Sequence, residues 1–401
     1  MQEFDSIRPY SDEETAPTIQ RLVNDSEFLN MIGRFRSPRL AAWAPAPLRF
    51  FIRRWLMSHF AGINTIDDLQ MSLSGYVGDL VGNTTSKVTH SGLENLSKTH
   101  AHLFISNHRD IVCDPMIVNY LLFQNGFQTT RIAIGDNLLS NRVFAEMMKL
   151  NKSFLVRRNI TSPREMRDAY LTLSGFINHS IDTNHSVWIA QREGRAKNGI
   201  DATDPAIIKM FYMSKKKSGL GFGEALSRLH IVPVSISYEY DPCDVDKARE
   251  LEIRERTGEY QKAEGEDSAQ IMKGLTGPKG HVHVHFGAPI SQAPDTPKEL
   301  ATHIDHVMHA NYHLHASNLA AYEMRNLQVE MPETANTVGI DTIAAGTYSN
   351  EEREAAKAEI NKRMEECDEA GRKYLLDMYA NPVMNALAAR RHTESMETES
   401  D

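Results

Sequence analysis

The chain has 401 residues, of which 41% are hydrophobic, and its 53 acidic residues outnumber 44 basic ones, for a formal net charge of −9. This length fits one large α/β domain with appendages, or two to three smaller domains. The acidic balance argues against nucleic acid as a partner, because phosphate backbones attract basic surfaces. The 3 cysteines are widely spaced, which predicts no disulfide framework and a cytoplasmic compartment. Neither a signal peptide nor a transmembrane helix is predicted.

The first 84 residues are predicted to form a helical N-terminal region. Within it, the stretch Ala41–Phe60 has apolar and aromatic residues at helical spacing, with arginines between them. Such an amphipathic helix can lie in a membrane interface. The alternative is a helix that packs on the core and leaves a basic edge in solvent.

Residues 85–295 are predicted to form an α/β domain, because short apolar strands alternate with helical segments. We expect a mostly parallel central sheet flanked by helices, with helical N- and C-terminal extensions. The clearest predicted strands are Leu103–Ile105, Arg131–Gly135, Ser153–Val156, Ser186–Ala190, Ile231–Tyr238 and His281–Phe286. Polar loops at the ends of such strands are where a functional site is expected.

Residues 296–391 are predicted to be mainly helical. Ser349 followed by Glu352 forms a capping-box pattern at the start of a helix rich in Glu, Lys, Arg and Ala. The stretch Thr334–Tyr348 before it is predicted to be a loop. Residues 392–401 contain few apolar side chains and are predicted to be a disordered tail.

The first candidate site follows an apolar strand that ends in Ser-Asn and continues into His108. Asp110 and Asp114 come soon afterwards. A carboxylate near an imidazole can fix its tautomer, and the pair can act as a general base. A lone histidine is more often structural, but its place at a strand end with two nearby carboxylates favours catalysis.

Two further strand ends carry basic residues. One strand ends in Arg157-Arg158, and another runs into a loop that contains Glu193-Gly194-Arg195 and Lys197. Arginines and backbone N–H groups in such turns can bind a phosphate. Each turn by itself is also compatible with a solvated strand end.

A third candidate is the strand that contains His281, His283 and His285, which alternate and therefore share one face. A metal site is conceivable there. The opposite face is apolar and is the expected core face, and no acidic or cysteine partner lies nearby in sequence. We therefore predict solvated histidines and no bound metal.

Taken in order, these segments resemble the glycerolipid acyltransferase superfamily, which includes the glycerol-3-phosphate and the lysophosphatidic acid acyltransferases. The resemblance covers roughly residues 85–290. The motifs that carry it are Asn107-His108 through Asp114-Pro115, Ser153-Phe-Leu-Val-Arg157-Arg158, Glu193-Gly194-Arg195 and Ile231-Val-Pro233-Val. Each motif is weak alone, and their common order and spacing make the resemblance specific.

The resemblance implies that His108 is the general base and that an aspartate orients its imidazole. The family pattern places that aspartate five residues after the histidine, where this chain has Cys113. A one-residue insertion that makes Asp114 the partner is favoured, because the residues after it match the helix that follows the family's aspartate. Asp110 remains the alternative.

The resemblance also implies that Arg158, Glu193, Gly194 and Arg195 bind the phosphate-bearing substrate. The implied donor is acyl-CoA or an acyl carrier protein thioester, with no cofactor and no metal. The favoured acceptor is 1-acylglycerol-3-phosphate, and glycerol 3-phosphate is the alternative. Such substrates imply a cytoplasmic protein that associates peripherally with the inner membrane surface.

Two interpretations of a different class remain open. The chain can be a non-catalytic lipid-surface protein on the same scaffold. It can also be a metal-dependent hydrolase that uses His281, His283 and His285.

Overall fold

The computed structural model describes residues 2–136, 141–158, 160–328 and 348–400. Most of the predicted loop at 334–348 and the last residue, Asp401, lie outside the described residues.

Among the described residues, seven strands form one central sheet, in the spatial order β1-β7-β6-β2-β5-β3-β4. The strands are β1 (Lys87–Ser91), β2 (Leu103–Ser106), β3 (Arg131–Gly135), β4 (Ser153–Val156), β5 (Val187–Ala190), β6 (Ile231–Tyr238) and β7 (His281–Phe286). The neighbours from β6 to β4 are all parallel. Only β7, antiparallel to β6, and its parallel partner β1 run the other way. The predicted mostly parallel α/β fold is confirmed.

Strand β2 lies in the middle of the sheet, where Leu103 is opposite both Val187 of β5 and Ile231 of β6. Every residue of β2 and of β6 is buried. This matches their nearly continuous apolar sequences, because helices cover both faces of a parallel sheet. Strand β7 instead alternates between buried and half-buried residues.

Helices occupy most of the remaining described chain. In chain order they are α1 (Asp12–Asn24), α2 (Ser26–Arg36), α3 (Pro38–Trp43), α4 (Pro45–His59), α5 (Ile66–Thr84), α6 (Cys113–Gln124), α7 (Arg142–Leu150), α8 (Pro163–Asp182), α9 (Pro205–Tyr212), α10 (Phe222–Ser227), α11 (Asp244–Thr257), α12 (Glu266–Thr276), α13 (Pro297–Ala310), α14 (Ala316–Gln328), α15 (Asn350–Glu365) and α16 (Glu369–Ser400). The predicted capping box at Ser349 is present at the start of α15.

Two apolar cores lie on the two faces of the sheet. One is formed with helices α8, α9 and α13, which contribute Phe176, Ile208 and Ile304. The other is formed with α5 and α6, which contribute Val81 and Ile117. Because α13 packs into the first of these cores, the sheet domain extends beyond the boundary predicted at residue 295.

The N-terminal helices form a separate apolar cluster with α7, which connects β3 to β4. Leu22, Phe28, Leu56 and Leu69 pack there with Val143 of α7. The predicted amphipathic stretch becomes α3 and α4, and its apolar residues divide between the bundle and the surface. No helix among the described residues has the length and apolar character needed to cross a membrane.

The C-terminal helices α14, α15 and α16 pack against α11. Leu319, Ile360, Leu375 and Val383 form the centre of this cluster with Ala248. Helix α16 continues to Ser400, so residues 392–400 are helical in the structure rather than the disordered tail that the composition predicted. No glycine or proline follows Pro382 in this helix, so nothing interrupts its backbone hydrogen bonds.

Candidate active site

The predicted site residues follow strands that end at the same edge of the sheet. His108 comes after β2, Arg158 after β4 and Glu193 after β5, and these three strands are parallel. The carboxyl ends of parallel strands therefore bring separate parts of the sequence to one edge.

His108 contacts Asp114, which lies in the first turn of α6. The distance from Nδ1 of the imidazole to Oδ2 of the carboxylate is 2.8 Å. Asp110 has a different position, because its Oδ1 atom accepts hydrogen bonds from the backbone N–H groups of Val112 and Cys113. Asp110 thus caps the start of α6, and Asp114 is the residue that orients the imidazole.

The Asp114 carboxylate is completely buried and is surrounded by donors. Its Oδ2 atom also accepts from the backbone N–H groups of Arg109, at 2.6 Å, and Asp110, at 2.9 Å. Its Oδ1 atom accepts from the hydroxyl of Tyr238 at 2.7 Å. Burial, with a further contribution from Asp114, raises the pKa of Tyr238 well above its usual range, so this hydroxyl stays protonated as a donor. These contacts compensate for the loss of water around a buried charge.

The arrangement defines which imidazole nitrogen can react. With Nδ1–H directed at Asp114, the Nε2 atom of His108 carries the lone pair that can accept a proton. The ring packs edge-on to Trp188 of β5, with ring centroids 5.8 Å apart. The His108 side chain is 14% exposed, which leaves it accessible to a substrate.

Two residues beside His108 hold the loop in place. The Asn107 amide exchanges hydrogen bonds with the backbone of Ile236 in β6, at 2.7 and 3.0 Å. Arg109 is buried and donates to Asp201 at 2.7 Å, while its carbonyl accepts from the Lys247 amine at 2.6 Å. In the Asn-His part of the motif, Asn107 therefore anchors the loop to β6, and His108 is the residue predicted to be catalytic.

The loop after β5 is attached directly to the His108 loop, because the Ala196 N–H donates to the His108 carbonyl at 2.8 Å. Gly194 has a φ of +76°, a conformation that favours glycine. Glu193 and Arg158 lie together at the surface, with 3.6 Å between Oε1 and Nε.

Arg195 is turned inward, 9% exposed, and donates to the Gln270 side chain of α12. Its Nη1 atom is buried and has no partner among the described residues. A buried cationic donor of this kind is suited to an anionic ligand. The predicted substrate residues thus form an exposed Arg158–Glu193 pair and an inward-facing Arg195.

Other basic residues of the two turns have different surroundings. Arg157 lines a small depression with Ile7 and Glu165, apart from the Arg158–Glu193 pair. Lys197 forms an ion pair with the buried Glu250 of α11. These contacts are with residues other than Arg158 and Glu193.

An apolar cavity of about 570 Å³ lies next to the His108 loop. Its lining includes Ile111 and Val112 of that loop and Met116 of α6, together with Leu22 of α1 and Met147 of α7. No sequence motif indicates this cavity, because its walls come from helices that are distant in sequence. Tyr238 was missed for a similar reason, since it looks like an ordinary residue at the end of a buried strand.

Part of the sheet domain is similar to a known protein family. Residues 87–237 match the family model described as Acyltransferase. This match supports the predicted resemblance to an acyltransferase family over these residues, which make up less than half of the chain.

One similar solved structure is the crystal structure of the 1-acyl-sn-glycerophosphate (LPA) acyltransferase PlsC from Thermotoga maritima. The two chains are 13% identical, the match covers 71% of this chain and 95% of that chain, and the TM-score is 0.37. A likeness this distant transfers neither a substrate nor a residue role. Comparison with curated proteins gives no match.

Proposed function

We propose that this chain is an O-acyltransferase that moves an acyl group from acyl-CoA or an acyl carrier protein thioester to a hydroxyl of a glycerol phosphate. The favoured acceptor is 1-acylglycerol-3-phosphate. The observation that supports this proposal most strongly is the position of the His108–Asp114 pair beside an apolar cavity lined by Ile111 and Val112 of the same loop. An acyl-transfer enzyme needs a base and an apolar site for the chain in this proximity.

In the proposed mechanism, Nε2 of His108 accepts the proton of the acceptor hydroxyl as its oxygen attacks the thioester carbonyl. Asp114 holds the Nδ1–H and stabilises the imidazolium that forms. The tetrahedral intermediate then breaks its carbon–sulfur bond, and the departing thiolate takes the proton from the imidazolium. The products are the ester and the free thiol.

The acceptor phosphate is proposed to bind at Arg158 and Arg195. Arg158 is exposed and pairs with Glu193 across 3.6 Å, so a phosphate can compete for the guanidinium. The Nη1 atom of Arg195 provides a second donor without a described partner. Both arginines flank loops at the edge of the sheet where His108 lies.

The membrane is proposed as the source of the lipid substrate. On α3 and α4, Trp43 is 87% exposed, Phe50 64% and Phe51 66%, and Arg53 and Arg54 are exposed beside them. Exposed aromatic side chains next to arginines are typical of helices that lie in an anionic lipid interface. Trp55 and Leu56 of the same helix line the apolar cavity, which connects the proposed membrane surface to the active site.

The decisive experiment measures free thiol release from acyl-CoA and from an acyl carrier protein thioester. Each donor is paired with glycerol 3-phosphate, 1-acylglycerol-3-phosphate and other lysophospholipids. We expect thioester consumption that depends on 1-acylglycerol-3-phosphate, and a loss of about 10²- to 10⁴-fold in His108→Ala.

His100→Ala is the matched control, because His100 is exposed near the start of β2 and is expected to leave the rate unchanged. A preference for glycerol 3-phosphate would change the acceptor assignment. Absence of thiol release with every acceptor, or full activity of His108→Ala, would contradict the enzymatic proposal.

A further inference from the structure

Three histidines from two separate segments meet at one end of β7. His281 is the first residue of this strand, and His313 and His315 lie between α13 and α14. Their candidate ligand nitrogens all lie within 4.8 Å of one another. This group shares only His281 with the set His281, His283 and His285 considered from the sequence. Its other two members, His313 and His315, come from the segment that connects α13 to α14.

The rings are mutually close and largely shielded from water. The ring centroids are 4.9 Å apart for His281 and His313, 5.0 Å for His281 and His315, and 4.7 Å for His313 and His315. His315 is 1% exposed, and the other two are half-buried.

Each ring is also held by a hydroxyl group. The Nε2 atom of His281 is 2.6 Å from the Thr89 hydroxyl, and that of His315 is 3.2 Å from the Ser237 hydroxyl. The Nε2 atom of His313 is 3.3 Å from the hydroxyl of Tyr348. Hydrogen bonds to one ring nitrogen commonly orient the other nitrogen of histidines that bind metals.

We propose that His281, His313 and His315 bind a zinc ion, with water in the fourth position. Zinc accepts imidazole nitrogens at about 2.0–2.1 Å in tetrahedral geometry, which separates neighbouring nitrogens by about 3.4 Å. The nitrogens of this group lie within 4.8 Å of one another, so they have to move closer together to reach this spacing. Magnesium and calcium are disfavoured, because they prefer oxygen ligands.

The site is structurally separate from the acyltransferase chemistry. Successive residues of β6 point to opposite faces of the sheet, so Tyr238 contacts Asp114 while Ser237 contacts His315. A metal ion here joins β7 to the connection that leads into the C-terminal helices. The metal ion is therefore expected to stabilise the attachment of those helices to the sheet. This proposal is independent of the proposed enzymatic function.

The test uses the 401-residue chain without a histidine tag, stripped with chelator and titrated with Zn²⁺ or Co²⁺. We expect one tightly bound ion per chain, visible absorption of Co²⁺ typical of nitrogen ligands, and a higher Tm with Zn²⁺ than without it. His281→Gln combined with His313→Gln leaves the buried His315 in place. This double variant is expected to weaken binding at least tenfold and to abolish the rise in Tm.

His303→Gln combined with His306→Gln is the control. These two residues lie on α13, and the ring centroids of His306 and His392 are 5.3 Å apart. The control therefore tests for adventitious binding of metal by another group of histidines. The control is expected to bind zinc as the unaltered chain does. Binding below one ion per chain in the unaltered protein, binding retained by the first double variant, or binding lost in the control would each overturn the proposal.

Discussion

Tyr238 donates a hydrogen bond of 2.7 Å to Oδ1 of Asp114, the carboxylate oxygen that the imidazole of His108 does not use. One carboxylate therefore connects the end of β6 to the proposed base at the end of β2. The contact spans 124 residues of sequence. It fixes the rotation of the carboxylate, and through it the direction of the imidazole ring.

Replacing Tyr238 by phenylalanine tests this positioning role. The aromatic ring is retained, but Oδ1 of the buried carboxylate loses a donor, and hydrogen bonds to charged groups contribute about 1.5–3 kcal/mol. We expect kcat to fall at least tenfold with KM for both substrates nearly unchanged, because Tyr238 contacts Asp114 rather than substrate. Steady-state kinetics with varied donor and acceptor measure this separation.

Tyr240→Phe is the control for Tyr238→Phe. Tyr240 lies two residues further along and contacts Arg363 through its ring, so removal of its hydroxyl is expected to leave kcat unchanged. Equal losses in both variants would assign the effect to general destabilisation. Full activity of Tyr238→Phe would exclude the positioning role.

The two candidate aspartates are expected to respond differently to conversion into asparagine. Asp114→Asn replaces one carboxylate oxygen by an amide group that donates, at a position surrounded by hydrogen-bond donors. We therefore expect kcat to fall about a thousandfold. In Asp110→Asn the remaining oxygen can still accept from Val112 and Cys113. Burial raises the pKa of Asp110, and the nearby Asp114 adds to this rise.

Thiol-release rates for the two variants, with circular dichroism as a check on folding, measure this difference. We expect Asp110→Asn to remain within about threefold of the unaltered enzyme, since it keeps the cap of α6. An inactive Asp110→Asn alongside an active Asp114→Asn would reverse the assignment of the two residues.

The sequence predicts the parts of this site that are local in the chain. Apolar runs that end in polar residues located the strands, and strand ends located His108, Arg158 and Glu193. The position of Asp114 could be argued because helix α6 begins beside it. Tyr238 could not be predicted, because its contact depends on which strands are neighbours in the sheet.

The same limit applies to larger features. The apolar cavity is lined by helices from the N-terminal region, by α6 and α7 and by the His108 loop, so no continuous pattern encodes it. The histidines of β7 were predicted to face solvent, and the connection after α13 instead covers part of that face. In both cases the missing information is how distant segments pack against one another.

The apolar cavity is predicted to select the length of the acyl chain. Met147→Trp places a larger side chain in its wall, and each buried methylene contributes about 0.8 kcal/mol, or about fourfold in affinity. We expect long-chain donors to lose kcat/KM while short-chain donors keep it. The measurement is kcat/KM for a series of acyl-CoA donors of increasing length.

Met166→Trp is the control for the cavity variant, because Met166 is exposed on α8 and lies outside the cavity lining. The control is expected to have the chain-length profile of the unaltered enzyme. An unchanged profile in Met147→Trp would show that the acyl chain does not occupy this cavity.

Helix α4 is predicted to bind anionic membranes. Reversing the charge of exposed Arg53 and Arg54 to glutamate removes two attractive charges and adds two repulsive ones, and each basic charge near such a surface contributes about 1 kcal/mol. We expect vesicle binding to weaken at least tenfold, as measured by sedimentation with vesicles containing anionic phospholipid.

Reversal of Lys216 and Lys217 provides the matched control, since both residues are exposed but lie after α9, far along the chain from α4. This variant has the same net charge as the α4 variant. Equal weakening in both variants would indicate a response to total charge and would reject α4 as the membrane surface.

The C-terminal helix α16 is predicted to support the loop after β5, which contains the proposed phosphate-binding residue Arg195. Gly199 has a φ of +74°, and a Cβ atom at this position would lie 2.3 Å from the Met378 carbonyl of α16. Asn381 and Asn385 of the same helix also donate to the carbonyls of Asn198 and Gly199. Gly199→Ala is therefore expected to separate the loop from the helix, lower the Tm, and raise KM for the acceptor by about tenfold.

Gly219→Ala isolates the contribution of this contact. Gly219 has a similar φ of +82°, but a Cβ atom there would meet nothing within 4 Å, so alanine adds only the backbone strain of about 1–2 kcal/mol. Thermal denaturation and acceptor kinetics of the two variants should differ by the effect of the Met378 contact. Equal behaviour would mean that α16 does not set the position of the loop, and that the C-terminal helices act elsewhere.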